Sequence, residues 1–220
     1  MAAYDAIILG AGPAGLTAAT YLARFRRRVL VLGAGAPRAS WIPESHNTPG
    51  FPDDVGGDEL LRRLTEQAAQ FGADIRQARA SRLTRVGNVF EVTAGRAKMQ
   101  APAVLLATGV IDRMPRVAGL EDAIRRSLVR MCPICDAYEA IDKRIAVLGD
   151  GGLAQREAAF LGTYSQQVTV IGARAARRLS FTETEIKWAQ PLVRQRTGDH
   201  LNLAVGCGAQ SALAVDWGAD

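Results

Sequence analysis

Two cysteines lie three positions apart in the middle of the chain, in the segment Met131-Cys132-Pro133-Ile134-Cys135-Asp136. A pair with this spacing can close a small reversible disulfide, and a helix that begins nearby makes thiolate attack practical near neutral pH. Asp136 follows directly and is a candidate proton donor and acceptor for a leaving thiolate. The motif predicts redox chemistry by Cys132, Cys135 and Asp136.

A zinc site and a pair of inert buried thiols are the alternatives for this motif. Structural zinc takes four ligands, and the other soft candidates are Cys207, His46 and His200, none in a second paired spacing. We interpret the two histidines as polar loop residues and Cys207 as a small residue in a tightly packed turn or helix start. The sequence therefore favours redox use of the pair and predicts no metal site.

Glycine-rich turns occur twice, and they read GAGPAG from Gly10 and GDGGLA from Gly149. In the GxGxx(G/A) pattern the first glycine permits a tight turn, the second lets backbone approach a pyrophosphate, and the third small residue lets helix pack on strand. Free N–H groups at the start of the helix attract the phosphates. A structural glycine turn is the alternative to dinucleotide binding. The residues predicted to bind a nucleotide in the second turn are Gly149, Gly151, Gly152 and Ala154.

The residues after each second strand bear on which nucleotide is bound. An acid is expected there to hold an adenosine ribose hydroxyl, but Gly33 and Gly172 occupy the two positions. In the second copy Arg174, Arg177 and Arg178 follow the strand, where guanidinium groups could accept a ribose 2′-phosphate. This arrangement favours NADP over NAD, with a solvated basic loop as the alternative.

Both turns belong to an internal repeat, in which Asp5 to Gly33 matches Arg144 to Gly172 without a gap. Each copy has an apolar strand, the turn, a helical stretch and a second strand. The chain is therefore predicted to contain two βαβ units. Between the copies, Glu59 to Phe71 has helical periodicity, and the strand-like run Ala103 to Leu106 ends in Thr108-Gly109, where ligands bind in open α/β sheets. The predicted fold class is α/β, with two Rossmann-like domains of the three-layer ββα type.

Composition excludes several classes of protein. The 220 residues are 48% hydrophobic, and their apolar runs fall far short of the ~18 residues that a bilayer span requires. The beginning of the chain lacks the features of a secretory signal, so we expect a cytoplasmic protein without membrane contact. The net charge of +5 comes from short basic runs without aromatic interleaving. We therefore expect no nucleic-acid partner.

With these residues in view, the chain resembles the low-molecular-weight thioredoxin reductases, a branch of the FAD- and NAD(P)-dependent pyridine nucleotide-disulfide oxidoreductases. The matching segments are ILGAGPAGLTAATYLAR, HNTPGFPD, LLATG, MCPICDAYE, and IAVLGDGG with REAAFL. The resemblance implies that NADPH reduces FAD, that the flavin reduces the CxxC disulfide, and that the dithiol exchanges with a thioredoxin-like protein or a small dithiol substrate. It also suggests a homodimer.

The resemblance assigns roles to single residues. Cys135 would be the flavin-facing thiol, Cys132 the interchange thiol that attacks the substrate disulfide, and Asp136 the acid that serves both. Asn47 would lie beside the flavin, and Asp199 would bind the ribityl chain. The other residues implied in FAD binding are Gly10, Gly12, Pro13, Ala14, Gly15, Thr108 and Gly109.

The chain after the second repeat predicts a shortened second domain. Residues 172–220 are fewer than a nucleotide domain and a return to the flavin domain need, and Thr197-Gly198-Asp199 with the residues after it resembles that return. We expect an FAD-binding domain at 1–116, an NAD(P)-binding domain with the CxxC at 117–196, and a return segment at 197–220. FAD binding is then expected to survive better than NADPH binding. A flavin-dependent dithiol oxidase that uses oxygen and a noncatalytic flavin-binding remnant are the alternative functions.

Overall fold

The computed structural model describes residues 4–112, 114–172, 179–181, 186–188, 200–203 and 207–209, the last four ranges by their backbone alone. The chain divides into two compact units. The first contains Met1–Trp41, Gly56–Ile111 and Gly208–Asp220, and the second contains Ile42–Val55 and Asp112–Cys207. Every helix in the described part of the chain is too short or too polar to cross a bilayer.

Strands and helices alternate in both repeats. From the first repeat onward the elements are β1 (Ala6–Leu9), α1 (Pro13–Arg24), β2 (Val29–Gly33), α2 (Gly57–Gln70), β3 (Asp74–Gln77), β4 (Ala80–Val86), β5 (Val89–Ala94), β6 (Ala97–Ala101), β7 (Val104–Leu106) and β8 (Val110–Asp112). The chain continues with α3 (Leu120–Arg125), β9 (Val129–Arg130), α4 (Pro133–Asp136), β10 (Ile145–Leu148), α5 (Gly151–Leu161), β11 (Val168–Ile171), β12 (Leu179–Phe181), β13 (Ile186–Trp188), β14 (His200–Leu203) and β15 (Cys207–Ala209). Short 3₁₀ turns span Arg38–Trp41 and Tyr138–Ala140.

The first unit is a three-layer ββα structure. Its central sheet has the order β3-β2-β1-β7 with all strands parallel. Ile8 and Val31 point into a core with α1 and α2, whereas Ile7 and Leu30 point into a core with the antiparallel sheet β4-β5-β6. Because β1 and β2 are covered on both faces, they are continuous apolar runs rather than alternating ones. The predicted layers, including α2 and β7, are confirmed.

The second unit repeats the parallel βαβ arrangement. Its sheet has the order β11-β10-β14-β9, again with all strands parallel. The repeat is confirmed down to the strand register, because Ile145 pairs with Val168 as Ala6 pairs with Val29. Ala154 and Leu161 of α5 pack on β10 and on the residues after α4.

The division of the chain differs from the predicted boundaries at two places. Residues 42–55 group with the second unit, although they fall within the predicted domain 1–116. Residues 200–203 of the predicted return segment form β14 and pair with β10 in the second sheet. The reason is that β10 is fully buried, and the N–H and C=O groups on both of its edges need partners. Among the described residues of the return segment, Gly208 and Ala209 group with the first unit, and β15 pairs with β8.

Candidate active site

The centre of the second unit's candidate site is a disulfide between Cys132 and Cys135, whose Cα atoms are 5.3 Å apart. Strand β9 ends two residues before it, and Pro133, which is tolerated at the first position of a helix, begins α4 between the cysteines. Because β9 and β10 point the same way in one sheet, the disulfide and the second glycine turn lie at the same carboxyl edge. Helix α4 also contacts α5, which begins at that turn.

The two sulfur atoms have different surroundings. The backbone N–H of Cys135 donates a hydrogen bond to Sγ of Cys132 at 3.2 Å. A donor aimed at a sulfur stabilises the thiolate when the disulfide opens. Both cysteines are half-buried, while Ile134 between them is 80% exposed and Tyr138 is 74% exposed. The motif therefore has exposed apolar side chains and a sulfur, that of Cys132, whose thiolate form a hydrogen bond would stabilise.

Asp136 lies in a charged and largely buried environment. Its Oδ1 accepts a hydrogen bond from Nη1 of Arg130 at 3.1 Å, and the side chains of Arg130 and Asp136 are 12% and 16% exposed. Burial raises the pKa of Asp136 above its ordinary value, Arg130 opposes this rise, and the charge of Glu139 adds to it. A carboxyl with a raised pKa holds its proton nearer to neutral pH, as a general acid must.

The loop 42–55 belongs to the same unit as the disulfide. Its ends are joined by backbone hydrogen bonds between Ser45 and Val55, and Nδ1 of His46 lies 2.7 Å from Oδ1 of Asp54. The charge of a protonated His46 lowers the pKa of Asp136. Asn47 accepts a hydrogen bond from the Ser45 hydroxyl at 3.2 Å. The interpretation of His46 as a loop residue missed its influence on Asp136, because no local pattern links residues so far apart in the chain.

The first glycine turn joins β1 to α1 at the carboxyl edge of its sheet. Gly10 has φ 121°, and a Cβ there would lie 2.0 Å from the Ala107 carbonyl oxygen and 3.2 Å from the Thr108 nitrogen. A Cβ at Gly15 would lie 2.0 Å from the carbonyl oxygen of Gly10. The structure thus places Gly10 of the first turn against the backbone of Ala107 and Thr108. Gly12 precedes α1 without a side-chain cap, which leaves N–H groups of the first turn, including those of Ala14 and Gly15, for a phosphate.

The second turn has the same construction. The N–H of Gly149 bonds to the Ile171 carbonyl at 2.9 Å, α5 begins at Gly151-Gly152, and Ala154 is fully buried where helix meets strand. Asp150 precedes the helix without capping it. The uncapped helix start and the small residues fit a dinucleotide pyrophosphate in both turns.

The surroundings of Gly33 and Gly172, which stand where an acid is expected after each second strand, differ. A Cβ at Gly33 would lie 2.8 Å from Cβ of Ala11, and a Cβ at Gly172 would lie 2.9 Å from Oδ1 of Asp150. A side chain at Gly33 would collide with Ala11 of the first turn, whereas one at Gly172 would only require the Asp150 carboxylate to move. The predicted nucleotide contacts Arg174, Arg177, Arg178 and Asp199 lie outside the described residues.

Comparisons with known proteins identify the family. The profile of the family "Pyridine nucleotide-disulphide oxidoreductase" matches residues 4–198. The thioredoxin reductase of Mycolicibacterium smegmatis is 38% identical over 179 residues, which cover 80% of this chain and 57% of that protein. The thioredoxin reductase of Treponema pallidum is 32% identical over 204 residues, which cover 92% of this chain and 63% of that protein. The chain thus spans about 60% of the length of these relatives.

A solved structure supports the fold. The thioredoxin reductase from Streptococcus pyogenes superposes with a TM-score of 0.84 at 23% sequence identity, over 98% of this chain and 80% of that one. This likeness confirms the predicted α/β fold with two Rossmann-like domains. Because the family profile extends over both glycine turns and the disulfide, the chain belongs to the pyridine nucleotide-disulphide oxidoreductase family and is similar to its thioredoxin reductases.

Proposed function

We propose that this chain is a flavin-dependent thiol-disulfide oxidoreductase, which passes electrons from NADPH through FAD to the Cys132–Cys135 disulfide and on to a thioredoxin-like protein disulfide. The observation that carries the proposal is the disulfide itself, at the carboxyl edge of a dinucleotide-type sheet and next to Asp136. The curated relatives are named thioredoxin reductases, which favours this function over a dithiol oxidase or a noncatalytic remnant.

The two glycine turns are the proposed nucleotide sites. The first, with Gly10, Gly12, Pro13, Ala14 and Gly15, would hold the FAD pyrophosphate on the N–H groups of α1. The second, with Gly149, Gly151, Gly152 and Ala154, would hold NADPH on those of α5. The bound cofactors supply hydride transfer, which no side chain of the protein can perform. Further proposed contacts are Asn47, Thr108, Gly109 and Asp199 for FAD, and Arg174, Arg177 and Arg178 for the 2′-phosphate of NADPH.

The chemistry that the protein's own residues perform is thiol-disulfide exchange. The Cys132 thiolate, which the N–H of Cys135 stabilises, attacks one sulfur of the substrate disulfide and forms a mixed disulfide with it. The other substrate sulfur leaves as a thiolate and takes the proton of Asp136. Cys135 then attacks the Cys132 sulfur, re-forms the protein disulfide and releases the second substrate thiol.

Rapid mixing in the absence of oxygen tests the proposal. Protein loaded with FAD is mixed with NADPH and then with an oxidised thioredoxin, while flavin absorbance and free thiols are followed. We expect the absorbance to bleach with NADPH and to recover with thioredoxin. Bleaching by a small dithiol but not by NADPH, followed by recovery with oxygen, would establish the dithiol oxidase instead. Bound flavin that responds to neither reductant would establish the noncatalytic remnant.

The same resemblance supports a cytoplasmic homodimer as part of this proposal. Light scattering during size-exclusion chromatography measures the mass of the assembly directly. A mass of two chains is the expected result, and a mass of 23.5 kDa would correspond to a single chain.

A further inference from the structure

Arg130 precedes Asp136 in the sequence and Glu139 follows it. The charges of both affect the pKa of the Asp136 carboxyl. Arg130, at the end of β9, donates from Nη1 to Oδ1 of Asp136 at 3.1 Å and from Nε to the Ser127 carbonyl at 3.1 Å. The guanidinium is therefore fixed at two points, one on the backbone before the disulfide and one on the carboxyl after it. This arrangement ties Asp136 to the strand that carries the cysteine pair.

Glu139 supplies a charge of the opposite sign. It lies in the 3₁₀ turn after α4, and its Oε2 is buried without a hydrogen-bond partner among the described residues. Its negative charge disfavours ionisation of Asp136, whereas the positive charge of Arg130 favours it. The Glu139 carboxylate adds nothing to stability that a neutral side chain would not provide, since a buried oxygen without a donor carries a desolvation cost.

We propose that Arg130 is a positioning residue: its guanidinium, held between the Ser127 carbonyl and the Asp136 carboxyl, fixes that carboxyl beside the disulfide, and the buried Glu139 carboxylate supplies the opposing charge. The inference rests on the proposed role of Asp136 as the acid of the exchange. When the Cys132 thiolate attacks the substrate disulfide, one substrate sulfur joins Cys132, and the other leaves and takes the proton from Asp136. Arg130 stabilises the carboxylate that remains, and Glu139 favours the return of a proton.

Among the described residues, a third charged group that acts on Asp136 is His46, from the loop 42–55. It acts in the same direction as Arg130 when it is protonated, and its partner is Asp54 at 2.7 Å. Arg130 differs from His46 because it makes a direct hydrogen bond to Asp136. We therefore assign the positioning role to Arg130.

A direct titration of Asp136 tests the inference without any turnover. The full-length oxidised protein is labelled with carbon-13 at its aspartate carboxyls, and the Asp136 resonance is identified by its loss in Asp136→Asn. We expect the midpoint of the titration to move to higher pH in Arg130→Met and to lower pH in Glu139→Gln. Arg130→Lys, which keeps the charge, should return the midpoint towards that of the wild type.

A surface arginine provides the matched control. Arg126 pairs with Asp122 at 3.3 Å on the exposed side of α3, and Arg126→Met should leave the Asp136 midpoint unchanged. A purely structural role of Arg130 would not produce opposite shifts in two variants. An unchanged midpoint in Arg130→Met, or shifts of the same sign in Arg130→Met and Glu139→Gln, would overturn the inference. If Arg130→Met does not fold, Arg130→Gln takes its place, and the directions of the midpoint shifts in Arg130→Gln and Glu139→Gln are compared instead.

The pH dependence of turnover separates this inference from the proposed function. If the wild type reduces thioredoxin, the limb of its profile that depends on Asp136 should move with the same signs as the titration. If the wild type has no reductase activity, the proposed function fails. The titration of Asp136 still tests the inference about Arg130, because it does not depend on turnover.

Discussion

Cys132 and Cys135 differ in one hydrogen bond, and that bond predicts which of them is the nucleophile. Only the sulfur of Cys132 accepts the N–H of the other cysteine. A hydrogen bond to a charged group contributes about 1.5–3 kcal/mol, so it favours the thiolate of Cys132 by roughly tenfold or more. We expect Cys132 in Cys135→Ser to react with iodoacetamide at pH 7 about tenfold faster than Cys135 does in Cys132→Ser. Equal rates, or a faster Cys135, would contradict this assignment.

Substitutions at Gly15 and Gly12 in the first turn should affect two different properties, the stability of the protein and its affinity for FAD. A Cβ at Gly15 would meet the Gly10 carbonyl oxygen at 2.0 Å, whereas one at Gly12 would meet Pro37 at 3.8 Å, an ordinary contact. Gly15→Ala should therefore destabilise the flavin-free protein by about 1–3 kcal/mol. Gly12→Ala should leave that stability nearly unchanged but weaken FAD binding, because it blocks backbone approach to the pyrophosphate.

Urea unfolding without cofactor and fluorescence titration with FAD measure these two effects independently. If Gly15→Ala unfolds at the same urea concentration as the wild type, the close approach of turn and helix is not as described. If Gly12→Ala binds FAD with unchanged affinity, the first turn is not the pyrophosphate site.

At the scale of the element, the sequence predicts the βαβ units well because each is a local pattern. Buried parallel strands such as β1 and β10 are continuous apolar runs, and the glycine turn fixes where each strand ends and its helix begins. The neighbours of β10 could not be predicted in the same way. Strand β9 has two residues, too few for any periodicity, and β14 comes from a segment that resembles a return to the other domain.

Helix α2 carries a network of ion pairs that predicts a small pH-dependent contribution to stability. Arg62 and Arg63 donate to Oε1 of Glu59 at 2.7 and 2.6 Å, and their hydrogen bonds lower the pKa of Glu59 from 4.5 to about 2. Because the pKa is lower in the folded state, the contribution is present above about pH 4.5 and is lost as the pH falls towards 2. All three side chains are exposed, so the contribution is small and screened by salt.

The corresponding variant is Glu59→Gln, compared with Glu66→Gln, which removes only one partner of Arg62. We expect Glu59→Gln to lower Tm slightly more than Glu66→Gln at pH 7 and low salt. The difference should disappear near pH 2 or in high salt. A difference that persists at low pH would show that the change acts through packing rather than charge.

At the scale of the whole molecule, the sequence predicts two nucleotide-type units but not their boundaries. A division into consecutive segments cannot anticipate that the loop 42–55 belongs with residues 112–207. Because of this grouping, the charge of a protonated His46 lowers the pKa of Asp136. The redox pair itself was predictable because its chemistry depends on a spacing of three residues, whereas its electrostatic surroundings depend on contacts between distant segments.

The predicted shortening of the second nucleotide domain implies an order of cofactor affinities. With the second nucleotide domain predicted to be the shortened one, FAD should bind more tightly than NADPH. Calorimetric titration with each nucleotide measures this order, and NADPH binding as tight as FAD binding would contradict it.

Electron transfer from NADPH to the Cys132–Cys135 disulfide can be measured directly. FAD-loaded protein is reduced with one equivalent of NADPH without oxygen and trapped with iodoacetamide, and its peptides are identified by mass spectrometry. We expect Cys132 and Cys135 both to become alkylated, and neither to be alkylated when NADPH is omitted. Flavin that bleaches while both cysteines remain disulfide-bonded would contradict it.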